Sequence, residues 1–145
     1  MSGAGSNPQA LSAEELARLR ETFARVPYVG LLGFEFVRAE RGAATFALEV
    51  REALTRMGGI LHGGAVVSLL DTAAAFAVHT IIEPDARTVT VDLTVHFLRP
   101  ASDGRIEAHA RVLRRGRRVC ILSVEAHNSN AEIIATSTMT YFIQS

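Results

Sequence analysis

Asp71 stands inside a largely apolar run, Ala65 to Val78, with Leu69, Leu70, Ala73 and Ala74 as its neighbours. A carboxylate in such surroundings is costly unless it is paired or used. That makes Asp71 a candidate general base or nucleophile. Three and four positions away lie Val67, Ser68, Ala74 and Ala75, so within its own helix only Ser68 offers a hydrogen bond. An arginine from elsewhere, or a backbone group in need of an acceptor, would account for Asp71 without any chemistry. His62-Gly63-Gly64 directly precedes the run. Glycines at a helix start leave backbone N–H groups open to a ligand oxygen, and the helix dipole favours negative charge there. A carbonyl turning into an oxyanion needs such donors. A plain turn is the alternative reading of the glycines.

These residues need a helix to carry them, and the pattern supplies one. From Gly63 to Thr80 apolar residues fall on every side, the mark of a buried helix. Before it, Ser12-Ala13-Glu14-Glu15 reads as a capping box. Leu16, Leu19, Phe23 and Val26 follow at helical spacing, and Pro27 ends a short amphipathic helix. Phe34–Glu40 and Ala43–Val50 alternate around an Arg41-Gly42 turn as a β-hairpin. Residues 51–60 read as a loop ending in Gly58-Gly59. After the buried helix come four strands: Thr88–Leu98, Gly104–Leu113, Arg118–His127 and Ala131–Ile143. In the first of them Val89, Val91, Leu93, Val95 and Phe97 are expected on one face, with Thr88, Thr90, Asp92, Thr94 and His96 on the other. The class is α+β. One sheet covers only one side of a helix that is apolar all round, so the sheet must curl and a second subunit must cover the rest. Residues 1–10, polar and rich in Gly and Ser, are expected to be a disordered tail before a single domain over 11–145.

Composition narrows the chemistry. All 15 basic residues are arginine, which removes lysine Schiff bases and the P-loop lysine. Formal net charge is zero, against a nucleic-acid partner. Cys120, the single cysteine, lies in an apolar strand pattern and reads as a small buried residue. His79, His96, His109 and His127 lack zinc-ligand spacing, so no metal is expected. No Gly-x-Ser-x-Gly elbow is present. The N-terminal stretch has no basic start and no apolar core, and no run is long enough to span a bilayer. The expectation is a cytoplasmic protein without a membrane partner.

Residues 58–77, GGILHGGAVVSLLDTAAAFA, closely resemble the signature of the PaaI-like hotdog-fold acyl-CoA thioesterases, and Val89–Ala101 is similar to that family's strand before an Arg-Pro turn. The resemblance runs from about residue 28 to 143. It implies a hotdog fold, in which a curled antiparallel sheet wraps one long helix. It implies hydrolysis of an acyl-CoA, aryl or short to medium chain, to CoA and a free acid, with CoA part of the substrate and no separate cofactor. By position, Asp71 would be the base or nucleophile, Gly63 N–H would polarise the thioester carbonyl, and His62 would hold the site together. Thr90 would orient the water. The site would be shared between two subunits of a homodimer, with dimers paired into a homotetramer, and Asp71 of one chain would face Gly63 of the other. Gly64 and Ser68 would lie along the substrate.

One position departs from the pattern. Six residues before the histidine the family usually has Asn or Gln; here it is Arg56. Arginine donates hydrogen bonds but accepts none. Arg56 would replace the amide as a donor, or meet a CoA phosphate or a substrate carboxylate. Arg114, Arg115, Arg117 and Arg118 surround a predicted turn, where Arg115 and Arg117 are candidate phosphate ligands beside Arg99; a solvated turn is the alternative. Two other readings stay open: a hotdog acyl-thioester hydratase, and a non-catalytic acyl-CoA-binding hotdog module.

Overall fold

A computed structural model describes residues 7–145 of the chain. Helix α1 spans Ala13–Ala24, and its capping box is complete: the Glu15 amide donates to Ser12 Oγ and the Ser12 amide to the Glu15 carboxylate. Pro27 does more than end this helix. It opens a second short one, α2 (Pro27–Leu32), because a proline ring pre-sets the first helical position and has no N–H to waste there. Gly33, at φ 71°, closes α2 in the left-handed conformation.

Strands β1 (Glu35–Glu40) and β2 (Ala43–Glu49) form the expected hairpin. The loop beyond them is more ordered than its composition suggests. Glu52–Leu54 makes a 3-10 turn, and Thr55 bridges Leu61. Helix α3, Gly63–His79, follows. Strands β3 (Arg87–Phe97), β4 (Arg105–Arg115), β5 (Val119–His127) and β6 (Ile133–Gln144) complete one antiparallel six-stranded sheet, in the order β1-β2-β4-β5-β6-β3.

The sheet curls around α3, the hotdog arrangement. Leu69, Leu70, Ala73, Ala74, Ala77 and Val78 are fully enclosed, against Phe46, Ile106, Leu122 and Met139 of the strands. Phe23, Phe36, Phe46 and Phe76 close one end, with ring centroids 4.9–6.3 Å apart. One side of α3 is not sealed: Val67, Ser68, Asp71, Thr72 and Ala75 remain half-buried.

Two expectations are corrected. The alternation of β3 does not run through. Thr90 faces Tyr141 and Asp92 faces Thr140, leaving Val91 without a partner in a β-bulge. One extra residue swaps the faces, so Thr88 and Thr90 point inward before it and Leu93 and Val95 after it. Val89 and Val91 point out, 49% and 59% exposed. The tail ends earlier than residue 10: Asn7–Ala10 forms a turn, and the Arg41 amide donates to the Gln9 carbonyl at 2.7 Å. The rest of that expectation falls on residues 1–6, outside the described residues. No helix among the described residues is long and apolar enough to cross a membrane.

Candidate active site

The N-terminus of α3 is built by the loop before it. His62 N–H donates to Leu54 O at 2.8 Å and Leu61 N–H to Ala101 O at 2.7 Å, fixing His62 at φ −62°, ψ 134°. His62 then caps the helix, its Nδ1 accepting from the Gly64 amide at 2.8 Å. An accepting Nδ1 puts the proton of the neutral ring on Nε2. A Cβ on residue 64 would stand 2.9 Å from Nδ1, so the cap requires Gly64. The Gly64 amide, expected along the substrate, is therefore occupied by His62. The Ala65 and Val66 amides turn to His62 O. Gly63 N–H is left as the helix-start donor with no acceptor among the described residues.

Gly63 lies in a cleft of about 330 Å³, with Arg56, Val66, Phe97 and Arg99 around it. The tip of the 51–60 loop turns at Gly58 and Gly59, both at positive φ, and Arg56 reaches back from it to Met57 O at 3.0 Å. Arg99 is anchored to Glu132 at 3.3 Å and to Ile133 O at 3.2 Å, with its side chain half exposed. The cleft is thus apolar at its floor and cationic at its rim.

Asp71 lies two turns further along α3 and has different company. Thr90 Oγ1 donates to Asp71 Oδ1 at 2.9 Å, a contact the Val91 bulge makes possible. Tyr141, the β6 partner of Thr90, donates its phenol to the same Oδ1 and lies 2.7 Å from Asp71 O. Burial first, then the adjacent carboxylate, pushes the Tyr141 phenol well above its ordinary pKa, so it remains a donor. Sequence reasoning missed Tyr141. It sits 70 residues from Asp71, and its only signal was a hydroxyl on the inward row of an apolar strand.

Ser68 does not meet Asp71. Its hydroxyl turns back to Gly64 O at 2.8 Å and shares a 2.7 Å bond with Tyr28 of α2. Arg115 and Arg117 are not brought to the cleft. They lie at the β4–β5 turn, where Arg115 donates to Gly116 O at 3.1 Å. Among the described residues no group of three His, Cys, Asp or Glu side chains is placed to hold a metal ion.

Within one chain Gly63 and Asp71 are eight residues apart on one helix, about 12 Å along its axis. They cannot serve one carbonyl from the same chain. Residues 58–135 match the sequence profile of the family described as Thioesterase superfamily, just over half of the chain. The chain belongs to the thioesterase superfamily. Among curated relatives, the medium/long-chain acyl-CoA thioesterase YigI of Salmonella typhimurium is 33% identical over 150 aligned residues, covering 92% of this chain and 97% of that protein. The Escherichia coli YigI matches to the same extent. A thioesterase family protein from Silicibacter pomeroyi superposes with a TM-score of 0.82 at 31% identity, over 88% of this chain and 96% of the other. The E. coli PaaI protein shares the fold, with a TM-score of 0.85 over 94% and 97% of the two chains at 22% identity.

Proposed function

We propose that this superfamily member hydrolyses acyl-CoA thioesters at two sites of a homodimer, each combining Asp71 of one protomer with Gly63 of its partner. The carrying observation is the division of labour along α3: an unoccupied amide at its start and a tethered carboxylate about 12 Å on. A dimer that sets two such helices antiparallel gives each carbonyl both groups. The sheet edge supports this arrangement. Among the described residues strand β3 pairs only with β6, and its other edge offers eleven residues of backbone, with Val89 and Val91 exposed beside it.

In this reading the thioester carbonyl sits in the Gly63 cleft with its oxygen on the Gly63 amide. Asp71 takes a proton from water as the water oxygen bonds to the carbonyl carbon. Negative charge collects on the oxygen held by Gly63. Collapse breaks the C–S bond, and the CoA thiolate recovers the proton from Asp71, leaving the free acid. Arg56 and Arg99 at the rim supply cations for CoA phosphates. The lengths named for YigI make medium and long acyl chains the first substrates to try, with aryl-acyl groups beside them.

The test is free-thiol release from a panel of alkyl- and aryl-acyl-CoAs by the wild type and Asp71→Asn. Turnover by the wild type and at least a hundredfold loss in the variant is expected. A wild type silent on the whole panel would refute the hydrolase reading.

A further inference from the structure

The Asp71 carboxylate is not symmetric. Both hydroxyls that reach it, Thr90 Oγ1 and the Tyr141 phenol, donate to Oδ1. No hydrogen bond to Oδ2 exists among the described residues. The phenol also lies against Asp71 O, so it clamps the side chain to its own helix turn. We infer that Tyr141 is a positioning residue for the reaction. Together with Thr90 it holds Oδ1, fixes the rotamer of Asp71 and leaves Oδ2 as the oxygen that meets water.

The surroundings favour such a role. Tyr141 is 2% exposed and stands on the inward row of β6, between Thr90 of β3 and Cys120 of β5. A ring packed on this scale has one rotamer, so its oxygen is fixed by the core rather than by the carboxylate. Its raised pKa keeps the proton on the phenol. A carboxylate with one oxygen accepting two hydrogen bonds loses little freedom when it takes up a proton on the other, because its orientation is already set. Held by hydroxyls from two paired strands, the carboxylate depends on the β3–β6 pairing for its direction.

The inference rests on the hydrolase reading, and its test separates the two. Thiol release from hexanoyl-CoA and phenylacetyl-CoA is measured on the intact oligomer of the wild type, Tyr141→Phe, Asp71→Asn and the double variant. Tyr141→Phe is expected to lower kcat about 10- to 100-fold, with KM within about threefold. In the Asp71→Asn background the same change is expected to alter the residual rate by less than about twofold, because Tyr141 acts through the carboxylate. An active wild type with kcat unaffected in Tyr141→Phe overturns the inference alone. An equal loss in both backgrounds also overturns it, since that is the mark of a structural role. A wild type inactive on every substrate overturns the hydrolase reading and this inference with it. Should Tyr141→Phe fail to fold, Thr90→Val removes the other donor from a half-buried position on the edge strand, and an unchanged kcat there overturns the assignment of Oδ1.

Discussion

Two dead enzymes should make a live one. Asp71→Asn removes the proposed base. Gly63→Pro removes the free amide at a position suited to proline: it is the first residue of α3, and His62 before it already has the extended φ and ψ that a residue before proline prefers. A Cβ at residue 63 comes no closer than 3.4 Å to the Phe97 ring, an ordinary contact. Each variant is therefore expected to fold and to lose about 100-fold or more in kcat. Unfolded together and refolded at equal concentration, the two chains pair at random, and about half of the dimers are mixed. In a mixed dimer one site inherits both defects and the other inherits neither. Half of the dimers with one good site of two gives about one quarter of wild-type activity per chain. If a site were built within one chain, every site would carry one defect and the mixture would stay at the level of its parents. The assay is thiol release before and after co-refolding, with size-exclusion chromatography to establish exchange. Exchange without recovery would refute the shared site and the about 12 Å argument from α3.

Other consequences can be checked as directly. Gly64→Ala places a Cβ 2.9 Å from His62 Nδ1 and breaks the cap. The lost cap, about 1 kcal/mol, is offset by a similar gain from alanine in a helix, so Tm should move by less than about 3 °C while kcat/KM falls about tenfold or more. A parallel fall in both, or neither, would contradict the cap's role in aiming Gly63. Arg99→Ala, at the rim of the cleft, should raise KM for acyl-CoA severalfold with kcat little changed, whereas the Arg115→Ala/Arg117→Ala double variant should leave KM near wild type; the opposite ranking would move the nucleotide to the β4–β5 turn. Burial lowers the pKa of His79 below its ordinary value. Below about pH 6.5 the unfolded chain binds a proton that folded His79 refuses, so stability falls as pH drops from neutral. Urea midpoints should decline less steeply with acid in His79→Gln, and an unchanged slope would rule the contribution out.

The helix, its glycine start and its odd carboxylate were legible because each breaks a local rule. Asp71 interrupts an apolar period, and two glycines stand where a helix begins. The capping box at Ser12 was legible for the same reason: its signal lies within four residues. Tyr141 was not legible, because its meaning comes from register across two strands and 70 residues of chain. Strict alternation put Thr90 on one face with Asp92, Thr94 and His96, since nothing in Thr-Val-Thr-Val-Asp announces that Val91 is unpaired. Pro27 reads equally as the end of one helix or the start of the next, and it does both. Ser68 had two partners within reach, and spacing along one helix could not reveal Tyr28 of another.

The strand order has a consequence for how the molecule is made. Strand β3 follows α3 directly in the chain, yet among the described residues it finds a partner only in β6, with Arg87 opposite Gln144 and Phe97 opposite Ala135. During synthesis α3 and β3 emerge well before that partner exists, and loop closure over such a distance is slow. Until β6 has been made and zipped on, neither hydroxyl can be set against Asp71. A nascent chain therefore carries the apolar helix early and its directed carboxylate last. In the proposed mechanism, hydrolytic competence therefore waits on β6, and a nascent chain stalled short of it lacks the phenol that holds Asp71.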